Sequence, residues 1–291
     1  MPDFQIITDS TTDISRDLID SMGVVVIPME FTMGGKSYLN YPEETEMTSR
    51  EFYSKLRAGE QAVTSQINAS RLKLVFEPYL KDGEDVLYLA FSSGLSGTYQ
   101  SGVLAASDLM EKYPNRKIIV VDTLAASMGE GLLVYFACQQ RDKGLSVDDV
   151  AQWVEDNRLH IAHWFTVDDL NHLKRGGRVS GAAAFFGTVL NIKPVLHVDN
   201  DGHLIPKEKV RGRQSSLDAL ISHYEKTGVK GSEQTIFISH GDCLEDARYV
   251  ASKMHERFGI EKIFINPIGP VIGAHSGPGT VALFFYADSR D

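Results

Sequence analysis

Residues 86–100 hold the stretch that decides the fold class: Val86-Leu87-Tyr88-Leu89-Ala90-Phe91-Ser92-Ser93-Gly94-Leu95-Ser96-Gly97-Thr98-Tyr99-Gln100. The run from Val86 to Ala90 is apolar without polar alternation, which predicts a strand covered on both faces, as in a parallel sheet. Serine and glycine residues follow directly, and a helical pattern begins at Thr98. A strand, a loop and a helix in this order form the repeating unit of an α/β fold.

The first half of the chain repeats this unit. We predict strands at residues 4–8, 23–28 and 118–121, and helices at residues 15–22, 48–58, 98–112, 127–143 and 146–158. Strands that are joined through helices run parallel to each other. Residues 1–160 are therefore expected to form an N-terminal α/β domain with a mainly parallel sheet.

The second half has a different pattern. We predict strands at residues 161–166, 192–198, 204–207, 235–239, 262–267 and 281–286, and helices at residues 167–174, 215–226 and 243–258. The turn sequence Asp199-Asn200-Asp201-Gly202 joins two of these strands as a hairpin. Residues 161–291 are expected to form a C-terminal α/β domain with a mixed sheet, and the ligand site is expected at the junction of the two domains.

Composition argues against several classes of function. The chain has 291 residues, with 29 Lys and Arg against 39 Asp and Glu, so its net charge is −10. This charge disfavours nucleic acid and anionic membrane surfaces as partners. No apolar run approaches the roughly 20 residues that span a bilayer, and no signal peptide is evident. The two cysteines imply no disulfide framework, so a cytoplasmic location is expected.

Four polar clusters lie in loops: residues 8–13, 64–68, 92–100 and 269–279. Each can be a set of helix caps or a ligand-binding loop, because hydroxyl groups and free backbone N–H groups serve both purposes. The last cluster frames His275 with four glycines and two prolines, so His275 is either structural or a ligand contact. The loop after residue 90 has neither the lysine of a P-loop nor the frame of a nucleophile elbow.

Three other segments allow two interpretations each. The basic turn Lys174–Arg178 can hold an anion or complement a helix C-terminus. The small apolar stretch Val179–Gly187 is either a tightly packed helix or one wall of an apolar tunnel. The segment Lys207–Arg213 carries four basic residues and one acid, and it is either a solvated loop or a docking patch.

Two kinds of site are not supported. The run from Ser239 to Cys243 contains catalytic residue types, but a triad needs side chains from separate segments. The nine histidines and two cysteines show no spacing that is typical of a metal site, so we expect none.

The order of the motifs resembles that of the DegV family of fatty-acid-binding proteins, which includes the FakB subunits of bacterial fatty acid kinase. The motifs are T-D-S at residues 8–10, T-S-Q at 64–66, S-S-G-L-S-G-T-Y-Q at 92–100, L-K-R-G-G-R at 173–178 and G-A-H-S-G-P-G at 273–279. The resemblance covers essentially the whole chain. Ile67 departs from it, because proline commonly follows T-S-Q in this family.

The resemblance implies a two-domain DegV-like fold that binds a long-chain fatty acid in a buried apolar tunnel. It implies that Thr64 and Ser96 hold the carboxylate, with Ser65 and Ser93 nearby, and that His275 and Arg175 complete the polar network. The expected contacts of the acyl chain are Ala183, Phe185, Phe186 and Leu190.

The resemblance also implies a non-catalytic subunit without a cofactor of its own. A separate ATP-dependent kinase subunit would phosphorylate the bound carboxylate, giving an acyl phosphate for phospholipid synthesis. We expect Arg211 or Arg213 to contribute to docking of that kinase. The alternative is a serine-dependent hydrolase or acyltransferase that uses Ser93 or Ser96 with His275.

Overall fold

The computed structural model describes residues 4–179, 191–231 and 233–290. The strands are β1 (Phe4–Asp9), β2 (Val25–Ile27), β3 (Met29–Met33), β4 (Lys36–Asn40), β5 (Ala62–Ser65), β6 (Asp85–Ala90), β7 (Ile118–Asp122), β8 (Ile161–Thr166), β9 (Ile192–Val198), β10 (Leu204–Arg211), β11 (Thr235–His240), β12 (Lys262–Pro267) and β13 (Val281–Tyr286). The α-helices are α1 (Arg16–Met22), α2 (Ser49–Arg57), α3 (Ala69–Lys81), α4 (Thr98–Lys112), α5 (Met128–Asp142), α6 (Val147–Asn157), α7 (Asn171–Gly176), α8 (Arg213–Thr227), α9 (Leu244–Phe258) and α10 (Pro270–Ser276).

The first sheet is parallel and has the strand order β2-β1-β6-β7. Its central strands β1 and β6 pair in register, with Ile6 opposite Leu87. Every residue from Val86 to Ala90 is fully buried, as the uninterrupted apolar run requires when helices cover both faces of a sheet. The predicted parallel sheet of the first half is therefore confirmed.

A small antiparallel sheet with the order β4-β3-β5 lies beside the first sheet, and the sequence did not predict it. Its outer strands are largely exposed and lack an apolar run, so they carry no signal of a buried strand. Phe31 of β3 lies opposite Thr64 of β5, which places the T-S-Q motif at the end of an edge strand.

The third sheet is mixed, with the order β10-β9-β8-β13-β11-β12. Strands β11 and β12 are parallel, and the other neighbours are antiparallel. The predicted hairpin joins β9 and β10, with the Gly202 N–H donating to the Asp199 carbonyl at 3.0 Å. Helix α7 begins at Asn171 and not at Val167, because Asp169 accepts from the Asn171 N–H at 2.8 Å and forms a turn there.

Helix α5 packs between the parallel sheet and the mixed sheet. Two of its glycines permit this close contact. A Cβ atom on Gly129 would lie 2.2 Å from the His163 ring, and one on Gly131 would lie 2.9 Å from the Thr12 carbonyl oxygen. Together the two sheets and α5 enclose the largest apolar core. We retain the domain division at residue 160 as a proposal.

Candidate functional site

An apolar cavity of about 240 Å³ lies between the mixed sheet, α10 and the loops that follow β5 and β6. Apolar side chains make up just over half of the residues in its described lining, among them Phe91, Leu95, Phe165, Val198, Ile272 and Phe284. The predicted acyl-chain contacts Ala183, Phe185, Phe186 and Leu190 lie outside the described residues. The cavity has the character of a site for an apolar ligand.

Polar side chains collect at one end of the cavity, where the lining reaches solvent. We call this set the polar opening, and its members are Thr64, Ser65, Gln66, Ser96, Arg178 and His275. They come from β5, from the loop before α4, from the turn after α7 and from α10. Four separate chain segments thus converge on one point, as expected for a site that holds a ligand head group.

A hydrogen bond joins two members of the polar opening that are 211 positions apart. The Thr64 Oγ1 atom lies 2.9 Å from the His275 Nε2 atom. Burial and the positive charge of Arg178 lower the pKa of His275 to about 4. The imidazole is therefore neutral at pH 7, and the positive charge of the opening comes from Arg178.

The glycines of the L-K-R-G-G-R motif explain how His275 and Arg178 come together. A Cβ atom on Gly176 would lie 2.2 Å from the His275 Nδ1 atom, so only glycine lets α7 approach this ring. Gly177 has a left-handed φ of +67° and ends the helix. The reversal lets the Arg178 Nε donate to the Leu95 carbonyl at 3.3 Å, which fixes the guanidinium beside the cavity.

Arg175 occupies a different position from the one that the resemblance implied. Its side chain is exposed, and its guanidinium lies 2.9 Å from the His172 Nδ1 atom. The described lining includes Arg178 and not Arg175. Both arginines belong to the same basic turn, and the sequence alone did not distinguish them.

The structure separates the two serines of the loop that follows β6. The Ser96 hydroxyl lies in the polar opening, where it is 2.9 Å from the Thr98 hydroxyl and accepts from the Thr98 N–H. Ser93 is exposed and does not line the cavity, and its N–H donates to Asp122 at 3.1 Å. Ser96 therefore stays a candidate ligand contact, whereas Ser93 lies outside the cavity.

Ile67 makes a hydrogen bond that the commoner proline could not make. Its N–H donates to the Thr98 hydroxyl at 3.3 Å, and its side chain is buried. This bond ties the T-S-Q motif to the first residue of α4. The next residue, Asn68, caps α3 by accepting from the Arg71 N–H at 3.0 Å.

The T-D-S cluster at residues 8–13 does not line the cavity. The Asp9 carboxylate caps a short turn by accepting from the Thr11 N–H at 3.0 Å. The Thr11 hydroxyl donates to the buried Glu130 at 2.8 Å. Burial raises the pKa of Asp9 and raises that of Glu130 well above its ordinary value. The capping interpretation of this cluster therefore fits the structure better than the ligand loop.

Asp13 ties this cluster to the segment that carries His275. Its carboxylate accepts from the Gly269 N–H, just before α10, at 2.8 Å and from the Ser127 hydroxyl at 2.5 Å. Burial raises the pKa of Asp13 to about 8. This role of Asp13 was not predicted from the sequence, although an acid in a loop of hydroxyl residues was a signal of it.

The basic segment predicted as a docking patch forms the edge strand β10 and the start of α8. Lys209 and Arg211 are exposed at alternate positions of the strand, which places them on one side of it, and Lys207 is exposed at a bulge between Pro206 and Glu208. Arg213 is half-buried instead, and its Nη2 atom lies 2.7 Å from an Asp246 carboxylate oxygen. Arg211 is therefore the better placed of the two arginines to meet another protein.

The part of the chain that the structure describes lacks two further features. It has no group of three or more His, Cys, Asp or Glu side chains that could hold a metal ion. It also has no helix whose length and apolar character would let it cross a bilayer.

Sequence comparison relates the whole chain to known proteins. A family model described as an uncharacterised protein of the DegV family matches residues 3–288. A DegV domain-containing protein of Clostridium perfringens is 44% identical over 291 residues, which is 100% of both chains.

Solved structures share the fold over nearly the same length. A DegV lipid binding protein from Thermotoga maritima is 30% identical, covers 100% of both chains and superposes with a TM-score of 0.86. A DegV family protein from Thermus thermophilus, named for fatty acid binding, is 31% identical with a TM-score of 0.87, over 98% of this chain and 99% of its own. DegV from Bacillus subtilis, named as a fatty acid binding protein, is 26% identical with a TM-score of 0.83, over 99% of this chain and 100% of its own.

Proposed function

Because this chain belongs to the DegV family, we propose that it binds a long-chain fatty acid, with the acyl chain in the apolar cavity and the carboxylate at the polar opening. The observation that carries the proposal is the cavity itself, which has a largely apolar lining and a polar opening where Thr64, His275 and Arg178 converge. The names of the relatives from Thermus thermophilus and Bacillus subtilis support the same ligand class.

The apolar lining supplies the affinity. A sixteen-carbon acid has about 14 methylenes, and burying each is worth about 0.8 kcal/mol, so the gross gain is on the order of 11 kcal/mol. Loss of translational and conformational freedom reduces this gain. The surplus is enough to hold a fatty acid that would otherwise be dissolved in water.

The polar opening can pair and hydrogen-bond the charged head group of the ligand. A carboxylate is costly to bury unless it is paired and hydrogen-bonded. The hydroxyls of Thr64 and Ser96 can donate to it, and the guanidinium of Arg178 supplies the positive charge that strengthens such bonds. Since Arg178 is exposed, the carboxylate would stay at the surface of the protein.

A carboxylate at the surface suits a protein that hands its ligand to an enzyme. We propose that a separate ATP-dependent kinase subunit phosphorylates the bound carboxylate to an acyl phosphate for phospholipid synthesis. In this arrangement the nucleotide belongs to the kinase, and the present chain is the non-catalytic subunit. A cytoplasmic location would give it access to both the kinase and ATP.

The hydrolase alternative receives no support from the geometry. In a serine hydrolase the histidine accepts the proton of the nucleophilic serine. Here the His275 Nε2 atom is hydrogen-bonded to Thr64, the Ser96 hydroxyl is bonded to Thr98, and Ser93 lies outside the cavity. A fluorophosphonate probe is expected to leave every serine of the protein unlabelled.

The proposed function is tested on the ligand that the protein acquires in cells. The protein would be purified without added lipid, and the ligand would be extracted in organic solvent. Mass spectrometry would then identify the ligand and quantify it. We expect near-stoichiometric long-chain fatty acid. An extract without fatty acid, from a protein that also fails to bind added hexadecanoate after delipidation, would refute the proposed function.

Docking of the kinase is expected to depend on the exposed edge of β10. Charge reversal by Arg211→Glu should raise the KM of the kinase for the loaded protein about tenfold, because the reversed charge repels the acidic surface that the basic edge would attract. Fatty acid affinity should not change. Arg248→Glu, which reverses another exposed arginine that lies on α9, serves as the control and should behave as wild type. An unchanged KM for the Arg211→Glu protein would remove this edge from the docking surface.

A further inference from the structure

The cavity contains a second polar cluster, which lies deeper than the polar opening. We call it the deep cluster, and its members are Ser127, His163, Ser239, Ser276 and Thr280. None of these residues exposes more than 6% of its surface, whereas the polar opening is partly or fully exposed. Polar side chains at this depth need partners, because water does not reach them freely.

Two members of the deep cluster are hydrogen-bonded to each other, and one of them is also hydrogen-bonded to a buried acid. The Ser127 hydroxyl donates to Asp13 at 2.5 Å, and the Ser239 hydroxyl lies 2.9 Å from the Ser127 hydroxyl. This chain of hydrogen bonds leads away from the cavity and into the protein.

Two other members bond to the backbone around them. The His163 ring uses both nitrogens, with Nδ1 at 2.9 Å from the Ile161 carbonyl and Nε2 accepting from the Ala126 N–H at 3.3 Å. The Thr280 hydroxyl donates to the carbonyl oxygen of Ser276 at 3.0 Å. These contacts fix the side chains and leave them little capacity for a ligand.

Ser276 differs from the other four. Its hydroxyl oxygen is buried and has no hydrogen-bond partner among the residues that the structure describes. A buried hydroxyl without a partner destabilises a protein, and the great majority of such groups are paired in native structures. Since the side chain lines the cavity, a molecule in the cavity is placed to supply the missing partner.

The position of Ser276 indicates which part of a ligand it would meet. It directly follows His275, a member of the polar opening, and consecutive Cα atoms are about 3.8 Å apart. An acyl chain whose carboxylate lies at the opening would therefore pass Ser276 within its first carbons. A serine hydroxyl can both donate and accept, which matches a hydroxyl group on the chain.

We propose that Ser276 makes this cavity a site for fatty acids that carry a hydroxyl group on the carboxyl-proximal part of the chain. This inference rests on the proposed function and specifies its substrate class. Ordinary fatty acids would still bind. A fatty acid with such a hydroxyl group would gain a hydrogen bond, because its hydroxyl and that of Ser276 would pair with each other and neither would be buried without a partner.

The test compares ligands within each variant of the delipidated protein. The ligands are hexadecanoate, its racemic 3-hydroxy and 6-hydroxy derivatives, and 16-hydroxyhexadecanoate, whose hydroxyl lies at the far end. We expect at least one carboxyl-proximal hydroxy acid to bind wild type as tightly as hexadecanoate. Ser276→Ala should weaken that hydroxy acid fivefold or more and change hexadecanoate and the 16-hydroxy acid less than twofold.

Controls make a negative result informative. Retained hexadecanoate binding shows that the Ser276→Ala protein is folded, and Ser276→Cys, which nearly preserves the volume, gives a second comparison. Ser107→Ala removes an exposed hydroxyl and should have no effect. Equal weakening of all ligands, or no weakening of the hydroxy acid, would overturn the inference while the proposed function stands. Failure of wild type to bind any of the four acids would overturn the proposed function and the inference with it.

Discussion

Replacing Arg178 by glutamine is expected to weaken the binding of hexadecanoate about tenfold. A hydrogen bond to a charged group is worth about 1.5–3 kcal/mol, and the exposed position of Arg178 reduces this value through solvent screening. Because burial leaves His275 neutral at pH 7, no other member of the polar opening offers a full positive charge to the carboxylate. Titration of the delipidated protein, followed by calorimetry, measures the effect.

Arg175→Gln is the matched control, since it removes the same charge three positions earlier in the same turn. Arg175 is exposed and contacts His172, so this change should alter the affinity less than twofold. If Arg175→Gln weakened binding as much as Arg178→Gln, the carboxylate would not lie where Arg178 places it. The pair of variants thus decides between the arginine that the family resemblance implied and the one that the structure puts at the cavity.

The second large effect is on stability and concerns Asp13. Burial raises the pKa of this carboxyl to about 8 from an ordinary value of 3.8. The folded protein therefore holds a proton that the unfolded chain releases, and the stability that this proton provides is full below about pH 4 and is lost as pH rises through 8. Between these values one such group contributes about 1.4 kcal/mol per pH unit.

Asp13→Asn removes this titration and keeps the shape. An amide can accept from the Gly269 N–H and donate to the Ser127 hydroxyl, which can turn its own proton to Ser239. Asparagine also tolerates the left-handed φ of +50° at this position. Urea unfolding at pH 5.5, 7.0 and 8.5 should show that wild type loses stability with rising pH, and that the variant loses markedly less. Asp9 and Glu130 titrate in the same sense, so part of the dependence should persist.

Asp82→Asn removes an exposed carboxylate and should follow wild type at every pH. Parallel stability curves for wild type and Asp13→Asn would show that Asp13 is ionised in the folded protein across this range. The hydrogen bonds from Gly269 and Ser127 would then be the dominant influence on its pKa, and not its burial.

The sequence contained enough information for the two large sheets. Their strands are apolar runs such as Val86–Ala90, and burial on both faces forces that composition. The small sheet was missed because β4 and β5 are half exposed and short. Helix α3 was also missed, although Asn68 caps it and Leu72, Phe76 and Leu80 recur at helical spacing along its buried side.

Single residues of the candidate site could be proposed from the sequence, but their arrangement in space could not. Thr64, Ser96 and His275 were proposed from their motifs, and the structure brings them to one opening. The choice between Arg175 and Arg178 depends on the left-handed Gly177, which reverses the chain between them. Residue type and spacing did not define this backbone geometry, so the sequence could not show which of the two arginines lies at the cavity.

The most direct test of the central claim compares hexadecanoate with its methyl ester on the delipidated wild-type protein. The ester keeps the apolar chain and removes the charge. The comparison therefore separates the contribution of the apolar cavity to the affinity from that of the polar opening. We predict that hexadecanoate binds and that the ester binds at least tenfold more weakly, because the ester offers no anion to Arg178. Equal affinities would contradict a carboxylate held at the opening, and no binding of hexadecanoate would contradict a fatty acid site in this cavity.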